Sequence, residues 1–135
     1  MNSYFYHIQI NIDFKNLGFY RKLMAFLGWS IIFEKENVIG FKSGKNGDLW
    51  FVNCPGKDIS DYDSRGVNHI SIRVDEKEDV DNVADFLKQN AVVLLFGTPK
   101  HRPEFVSAKN ETYYQVMFKT MDNILFEVVY IGIND

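Results

Sequence analysis

The sequence predicts an α+β fold built from two βαβββ modules, and three observations carry that prediction. The chain has 135 residues, enough for one compact domain with a core and too few for two of ordinary size. The segment His7-Ile8-Gln9-Ile10-Asn11-Ile12-Asp13-Phe14-Lys15 recurs as His69-Ile70-Ser71-Ile72-Arg73-Val74-Asp75-Glu76-Lys77, at an offset of 62 and with five of nine positions identical. In both copies a strict apolar/polar alternation gives way to helical spacing and then returns. A repeat of about half the chain length means two copies of one supersecondary unit. The expectation is a single domain over residues 1–135, with modules at about 4–54 and 67–131 joined by a linker at 55–66.

Each element follows from its local pattern. In the first module Tyr4, Tyr6, Ile8, Ile10 and Ile12 share one face of an opening strand, with Phe5, His7, Gln9 and Asn11 on the other. Phe19, Leu23, Phe26 and Leu27 repeat at helical spacing and stop at Gly28. Strands are expected at 29–33, 38–42 and 48–53, separated by Lys35-Glu36-Asn37 and Gly44-Lys45-Asn46-Gly47. In the second module Ile70, Ile72 and Val74 oppose His69, Ser71 and Arg73, and Val80, Val83, Ala84 and Leu87 form a helix behind an Asp75-x-x-Glu78 capping box. Strands follow at 91–96, 113–119 and 124–131, the last two joined at Met121-Asp122-Asn123, where Asn tolerates a left-handed backbone.

Composition removes several classes of function. With 46% hydrophobic and 24% charged residues the chain is of ordinary globular type, so disorder and coiled coil have no support. Its longest apolar run, 91–96, falls far short of the roughly 20 residues needed to cross a bilayer. The N-terminus lacks an export pattern and Cys54 is the one cysteine, so the expected compartment is the cytoplasm, with no disulfide and no thiolate cluster. Fifteen basic against eighteen acidic residues leave a net charge of −3, which argues against a nucleic acid partner. A small molecule is the expected partner. The acidic residues Asp58, Asp61 and Asp63 lack the loop geometry of a calcium site and read as a solvated linker. Gly44 to Gly47 lacks the ending of a phosphate loop.

Helices cover one face of each sheet, so Ile8, Ile10, Ile70 and Ile72 are expected beneath helices. The opposite face carries His7, Gln9, Asn11, His69, Ser71 and Arg73, a set that suits a water-accessible cleft better than a dry core. Glu127 interrupts the apolar run Ile124-Leu125-Phe126-Glu127-Val128-Val129-Tyr130, and a carboxylate there needs a cation, a charge partner or strong hydrogen bonds. If its face is the one that bears the histidines, His7, His69 and Glu127 form a set suited to Fe(II), Zn, Ni, Mn or Co. The plainer alternative has both histidines hydrogen-bonded to neighbours and Glu127 paired with Arg73 or a lysine.

The two modules, with Tyr6-His7-Ile8, Phe19-Tyr20, Leu27-Gly28-Trp29 and the closing 121–130 segment, resemble the vicinal oxygen chelate superfamily of glyoxalase I, bleomycin and fosfomycin resistance proteins and extradiol dioxygenases. The likeness covers nearly the whole chain. It implies paired modules whose mixed sheets curl into a cleft, and a divalent metal held from the first and last strands. His7, His69 and Glu127 match three such places. Aligning 49–52 with 125–128 sets Phe51 opposite Glu127, where glyoxalase I has a carboxylate and this chain has none. That departure favours a triad like the 2-His-1-carboxylate set of the dioxygenases. The closing turn departs too, with Met121-Asp122-Asn123 where Pro-Asp-Gly is usual.

Further residues receive roles on this basis. Trp50 and Phe51 are expected to line the cavity, with Gln9 and Arg73 toward the substrate. His101 and Arg102, in a 99–104 loop, would hold an anionic substrate or act as acid and base; a solvated loop is the plainer reading. Tyr113 or Tyr114 would donate a proton, with Tyr114 set beside Glu127 and His101 in catalysis and Tyr113 against the substrate; simple packing of strand tyrosines is the plainer reading. The implied function is a divalent-metal-dependent lyase, isomerase or dioxygenase acting on a small substrate with neighbouring oxygens. The alternative is a metal-free protein that traps an aromatic molecule, of the bleomycin-resistance type. A homodimer is compatible with the long sheet edges.

Overall fold

The computed structural model describes residues 1–134. It divides into two compact units, one over Met1–Asp58 and one from Ile59 onward. The first contains β1 (His7–Ile12), a 3-10 turn (Phe14–Asn16), α1 (Leu17–Phe26), β2 (Ser30–Lys35), β3 (Val38–Lys42) and β4 (Asp48–Asn53). The second contains β5 (Ile70–Val74), α2 (Lys77–Gln89), β6 (Leu94–His101), a 3-10 turn (Pro103–Phe105), β7 (Glu111–Lys119) and β8 (Leu125–Ile133). Each unit is thus βαβββ, with a four-stranded mixed sheet in the order β1-β4-β3-β2 or β5-β8-β7-β6. This is the expected α+β class. No helix among the described residues is long and apolar enough to cross a membrane.

In the first unit β1 and β4 run parallel, with Ile10 beside Phe51 and Gln9 beside Trp50. Alternation then sends Ile10, Ile12, Leu49 and Phe51 into a core with Tyr20, Leu23 and Met24 of α1, all of them buried. Tyr20 lies 4.7 Å from Phe51, ring centre to ring centre. α1 ends where the Gly28 backbone turns left-handed at φ +80, a conformation glycine adopts without steric cost. Tyr4 to Tyr6, expected to extend β1, lie outside it.

The second unit repeats the scheme. β5 and β8 are parallel, with Ile72 beside Val128 and Ser71 beside Glu127. Ile72, Phe126, Val128, Val116 and Phe118 face Val80, Val83, Ala84 and Leu87 of α2 and are buried with them. The residue preceding α2 is Glu76, in extended backbone, and its own side chain makes no cap hydrogen bond. β6 is displaced from the expected 91–96. Ala91, at φ +58, still belongs to the turn after α2, and the strand continues to His101. His101 is therefore a strand residue. Asn123 takes the left-handed turn expected of it, at φ +61.

Candidate functional site

β8 alternates across its sheet, so the faces of Phe126 and Val128 toward α2 leave Leu125, Glu127 and Val129 on the open side. On β7 the same side carries Tyr113, Gln115 and Met117, with Met117 in register with Glu127. These strands floor a hollow of about 540 Å³ whose wall also includes Asn68, His69, Phe96, Arg102 and Phe105.

Glu127 is 2% exposed. A carboxylate removed from water must recover its hydrogen bonds or lose its charge. Ser71 Oγ donates to its Oε1 at 2.5 Å, the Tyr113 hydroxyl reaches Oε1 and Oε2 at 2.9 and 3.0 Å, and Gln115 Nε2 donates to Oε2. These donors are all uncharged. The expected alternative pairing with Arg73 is not made, since Arg73 donates to the Ile131 carbonyl at 2.8 Å. Gln115 is buried as well, and its Oε1 accepts from Arg102 Nη1 at 3.1 Å, so one amide joins the guanidinium to the carboxylate.

His69 stands just before β5. Asn68 Nδ2 donates to the Tyr62 carbonyl at 2.8 Å, which turns Asn68 Oδ1 toward His69 Nδ1, also 2.8 Å away. An amide oxygen only accepts, so Nδ1 carries a proton, and in the neutral imidazole Nε2 presents a lone pair. That lone pair faces Glu127 Oε1 across 3.9 Å. Two acceptors directed at one gap fit a cation between them, and an imidazole whose other nitrogen donates to an amide oxygen is the usual form of a metal ligand.

Burial first, and the hydrogen bond to Glu127 second, push the Tyr113 hydroxyl up to about 12. Tyr113 therefore remains an O–H donor throughout the physiological range. Its ring meets Phe105 edge-on at 5.2 Å, and the Arg102 guanidinium lies 4.8 Å over the Phe105 ring.

Within the second unit the structure brings His69, Glu127, Arg102 and Tyr113 to this hollow, and Arg73, His101 and Tyr114 do not line it. Among the described residues no group of three or more His, Cys, Asp and Glu is arranged to hold a metal; His69 and Glu127 are two of the three expected donors. His7 is exposed on β1 of the first unit, edge-on to Tyr6 and Trp50. Gln9, also exposed there, donates to Asn11. Tyr114, expected as proton donor, projects to the helix side and donates to Asp81 of α2 at 2.6 Å. His101 Nδ1 meets Thr112 Oγ1 and does not line the hollow.

Phe51 calls for a correction of register. β1 pairs Gln9 with Trp50 while β5 pairs Ser71 with Glu127, so the repeat sets Trp50, not Phe51, in the place of Glu127. Phe51 belongs to the helix-covered core and is fully buried, which removes it from any ligand. Trp50 lies half-buried on the open face, its ring 5.5 Å from Phe33. The absence of a carboxylate at that place holds in either register.

Sequence reasoning missed Ser71 and Gln115 as partners of Glu127, Asn68 as the residue that orients His69, and the apolar wall of Phe96 and Phe105. Gln115 was within reach, because the period of two that puts Tyr113 on the open face puts Gln115 and Met117 there too. The wall was not, for reasons that lie in the shape of β6.

No family model matches the sequence, and no curated protein matches it. Solved structures do. A candidate glyoxalase from Bacillus halodurans superposes with a TM-score of 0.76 at 22% identity, over 93% of this chain and 94% of that one. A glyoxalase/bleomycin resistance protein from Albidiferax ferrireducens gives 0.74 at 14% identity, over 93% and 97%. The fosfomycin resistance protein FosX from Listeria monocytogenes, solved with Mn(II) and sulfate, gives 0.67 at 21% identity, over 96% and 91%. The chain has the fold of the glyoxalase/bleomycin resistance/dioxygenase proteins.

Proposed function

We propose that the protein is a divalent-metal-dependent enzyme acting on a small substrate with neighbouring oxygens, with His69 and Glu127 as metal donors in the hollow of the second unit. The observation that carries this reading is the lone pair of His69 Nε2 facing Glu127 Oε1 across 3.9 Å, with the tautomer fixed through Asn68. The similarity in fold to a Mn(II)-bound protein supports it. A divalent ion supplies Lewis acidity toward two adjacent oxygens, the chemistry common to lyase, isomerase and dioxygenase readings.

The protein's own groups supply orientation. Asn68 fixes the imidazole. Ser71, Tyr113 and Gln115 hold the carboxylate in one rotamer. Tyr113 keeps its proton and offers an O–H that both lines the hollow and bonds to Glu127. Arg102 offers positive charge on the same wall.

Mn(II) titration of metal-stripped protein, followed by calorimetry and by loss of the free-ion electron paramagnetic resonance signal, tests the proposal. It expects one site per chain, weakened at least tenfold by His69→Ala and by Glu127→Gln. Absence of binding by the unaltered protein refutes it.

A metal-free binding protein is the second reading, and one observation favours it: the Glu127 oxygens already accept from three uncharged donors. It expects small-molecule binding that persists unchanged in chelator.

A further inference from the structure

β6 pairs with β7 in a broken register. Leu95 stands beside Met117, and the next pair is Lys100 with Gln115, so the intervening β6 residues form a bulge opposite a single β7 residue. The bulge is built in. Thr98 is buried, donates through Oγ1 to the Leu95 carbonyl at 2.7 Å, and accepts from the Met117 N–H at 2.9 Å. Phe96 is held at φ +58, followed by Gly97 at φ +68. A left-handed backbone is uncommon for an aromatic residue and persists only where surrounding contacts enforce it. Bulges next to sites redirect side chains, and this one puts Phe96, a residue 51% exposed, on the wall of the hollow.

Phe105 stands on the same wall, 55% exposed and beneath the Arg102 guanidinium. Met117 and Leu125 add apolar surface. Exposed aromatics gathered in a concavity mark a binding surface. Arg102 is the one fixed cation among the described residues lining the hollow, against the acids Asp63 and Glu127. Glu104 takes its Nε and Gln115 one Nη1 proton, which leaves further donors of the guanidinium fork uncommitted. Glu104 already balances part of the Arg102 charge through their ion pair, so it is the free Nη donors of Arg102 that favour a negative group, and the Glu127 end repels one. Gln115 separates the two.

We infer that the hollow selects an organic anion with an apolar body: its carboxylate-like head on Arg102 and its ring or chain between Phe96 and Phe105, over Met117 and Leu125. This rests on the proposed reading of the hollow as the ligand site and names its ligand class. The residues that set the selectivity are Arg102 for charge and Phe96 for the apolar part.

The test uses 2-naphthoate and its neutral analogue 2-naphthalenemethanol, followed by ligand fluorescence with metal-stripped and with Mn(II)-loaded protein, and acetate as competitor. The expected result is 2-naphthoate binding at least tenfold tighter than the alcohol, with acetate competing only at far higher concentration. Arg102→Met is expected to remove the preference for the anion, and Phe96→Ala to weaken both ligands about fivefold, with circular dichroism confirming the fold of each. Equal binding of anion and alcohol, or no binding of either at millimolar concentration, overturns the inference. Because the unaltered protein alone decides this, a variant that misfolds leaves it testable. Mn(II) binding without anion selectivity refutes this inference and leaves the metal proposal standing; anion selectivity without Mn(II) binding does the reverse.

Discussion

His69 Nε2 stands 3.9 Å from Glu127 Oε1, and in the neutral imidazole no protein hydrogen lies between them, because the single ring proton is committed to Asn68. The arrangement depends on an amide that is itself anchored to the Tyr62 carbonyl. Removing that anchor frees the ring to rotate and to exchange tautomers. Asn68→Ala is expected to weaken Mn(II) binding by about tenfold, the usual scale for loss of an orienting partner, with little change in thermal stability. Calorimetric titration beside His69→Ala checks it. An Asn68→Ala protein with unaltered affinity would show that the tautomer is not fixed from this side.

Gln115 is expected to matter more for stability than for exposure to ligand. It is 2% exposed and joins Arg102 to Glu127 through both ends of its amide. Gln115→Leu keeps the apolar stem and removes both hydrogen bonds, leaving a buried carboxylate oxygen short of a donor. A loss of about 1–3 kcal/mol is expected, read from urea unfolding. Gln115→Glu, which sets a second carboxylate against Glu127, should cost at least as much at neutral pH and recover stability in acid.

Two tyrosines give the protein an alkaline limit. Burial and then Glu127 push Tyr113 up to about 12, and burial and then Asp81 push Tyr114 up to about 12. An acid whose folded value is raised is stabilised in its protonated form. Its contribution is complete below the unfolded value near 10, and it is lost as pH climbs through about 12. Melting temperature should therefore fall between pH 10 and 12. Tyr113→Phe and Tyr114→Phe are each expected to flatten that fall and to remove part of the late tyrosinate absorbance. A variant with an unchanged slope would exclude its tyrosine from the effect.

The fold was legible because it is written twice. The repeated His-Ile-x-Ile pattern, the change from period two to helical spacing and the left-handed Asn123 turn all appear in the chain. Glu127 was legible as an interruption, since a carboxylate in an apolar strand demands partners. What identified the partners was strand register, which sequence alone left one residue adrift at Phe51 and Trp50. Tyr113 and Tyr114 show the same limit, since neighbours on a strand face opposite ways and one residue decides which reaches Glu127. The β6 bulge was beyond reach, because its extra residues are stabilised by Thr98 contacts with another strand and carry no local signature.

Trp50 shows what the first unit has in place of the carboxylate, and Gly40 shows what its position requires. The two residues are register partners on β3 and β4, and a Cβ added at Gly40 would come within 2.8 to 2.9 Å of the indole atoms. The backbone of Gly40 is not in the left-handed region, so the requirement is space and not conformation. Gly40→Ala should force the indole from the sheet surface and cost about 1–3 kcal/mol, as overpacking does. In Trp50→Leu, with the ring removed, the same change should cost less than half as much. Chemical unfolding of the four proteins of that cycle measures the coupling, and tryptophan fluorescence of Gly40→Ala reports the displaced ring. Purely additive costs would mean that the close approach of Trp50 is not what keeps this position glycine.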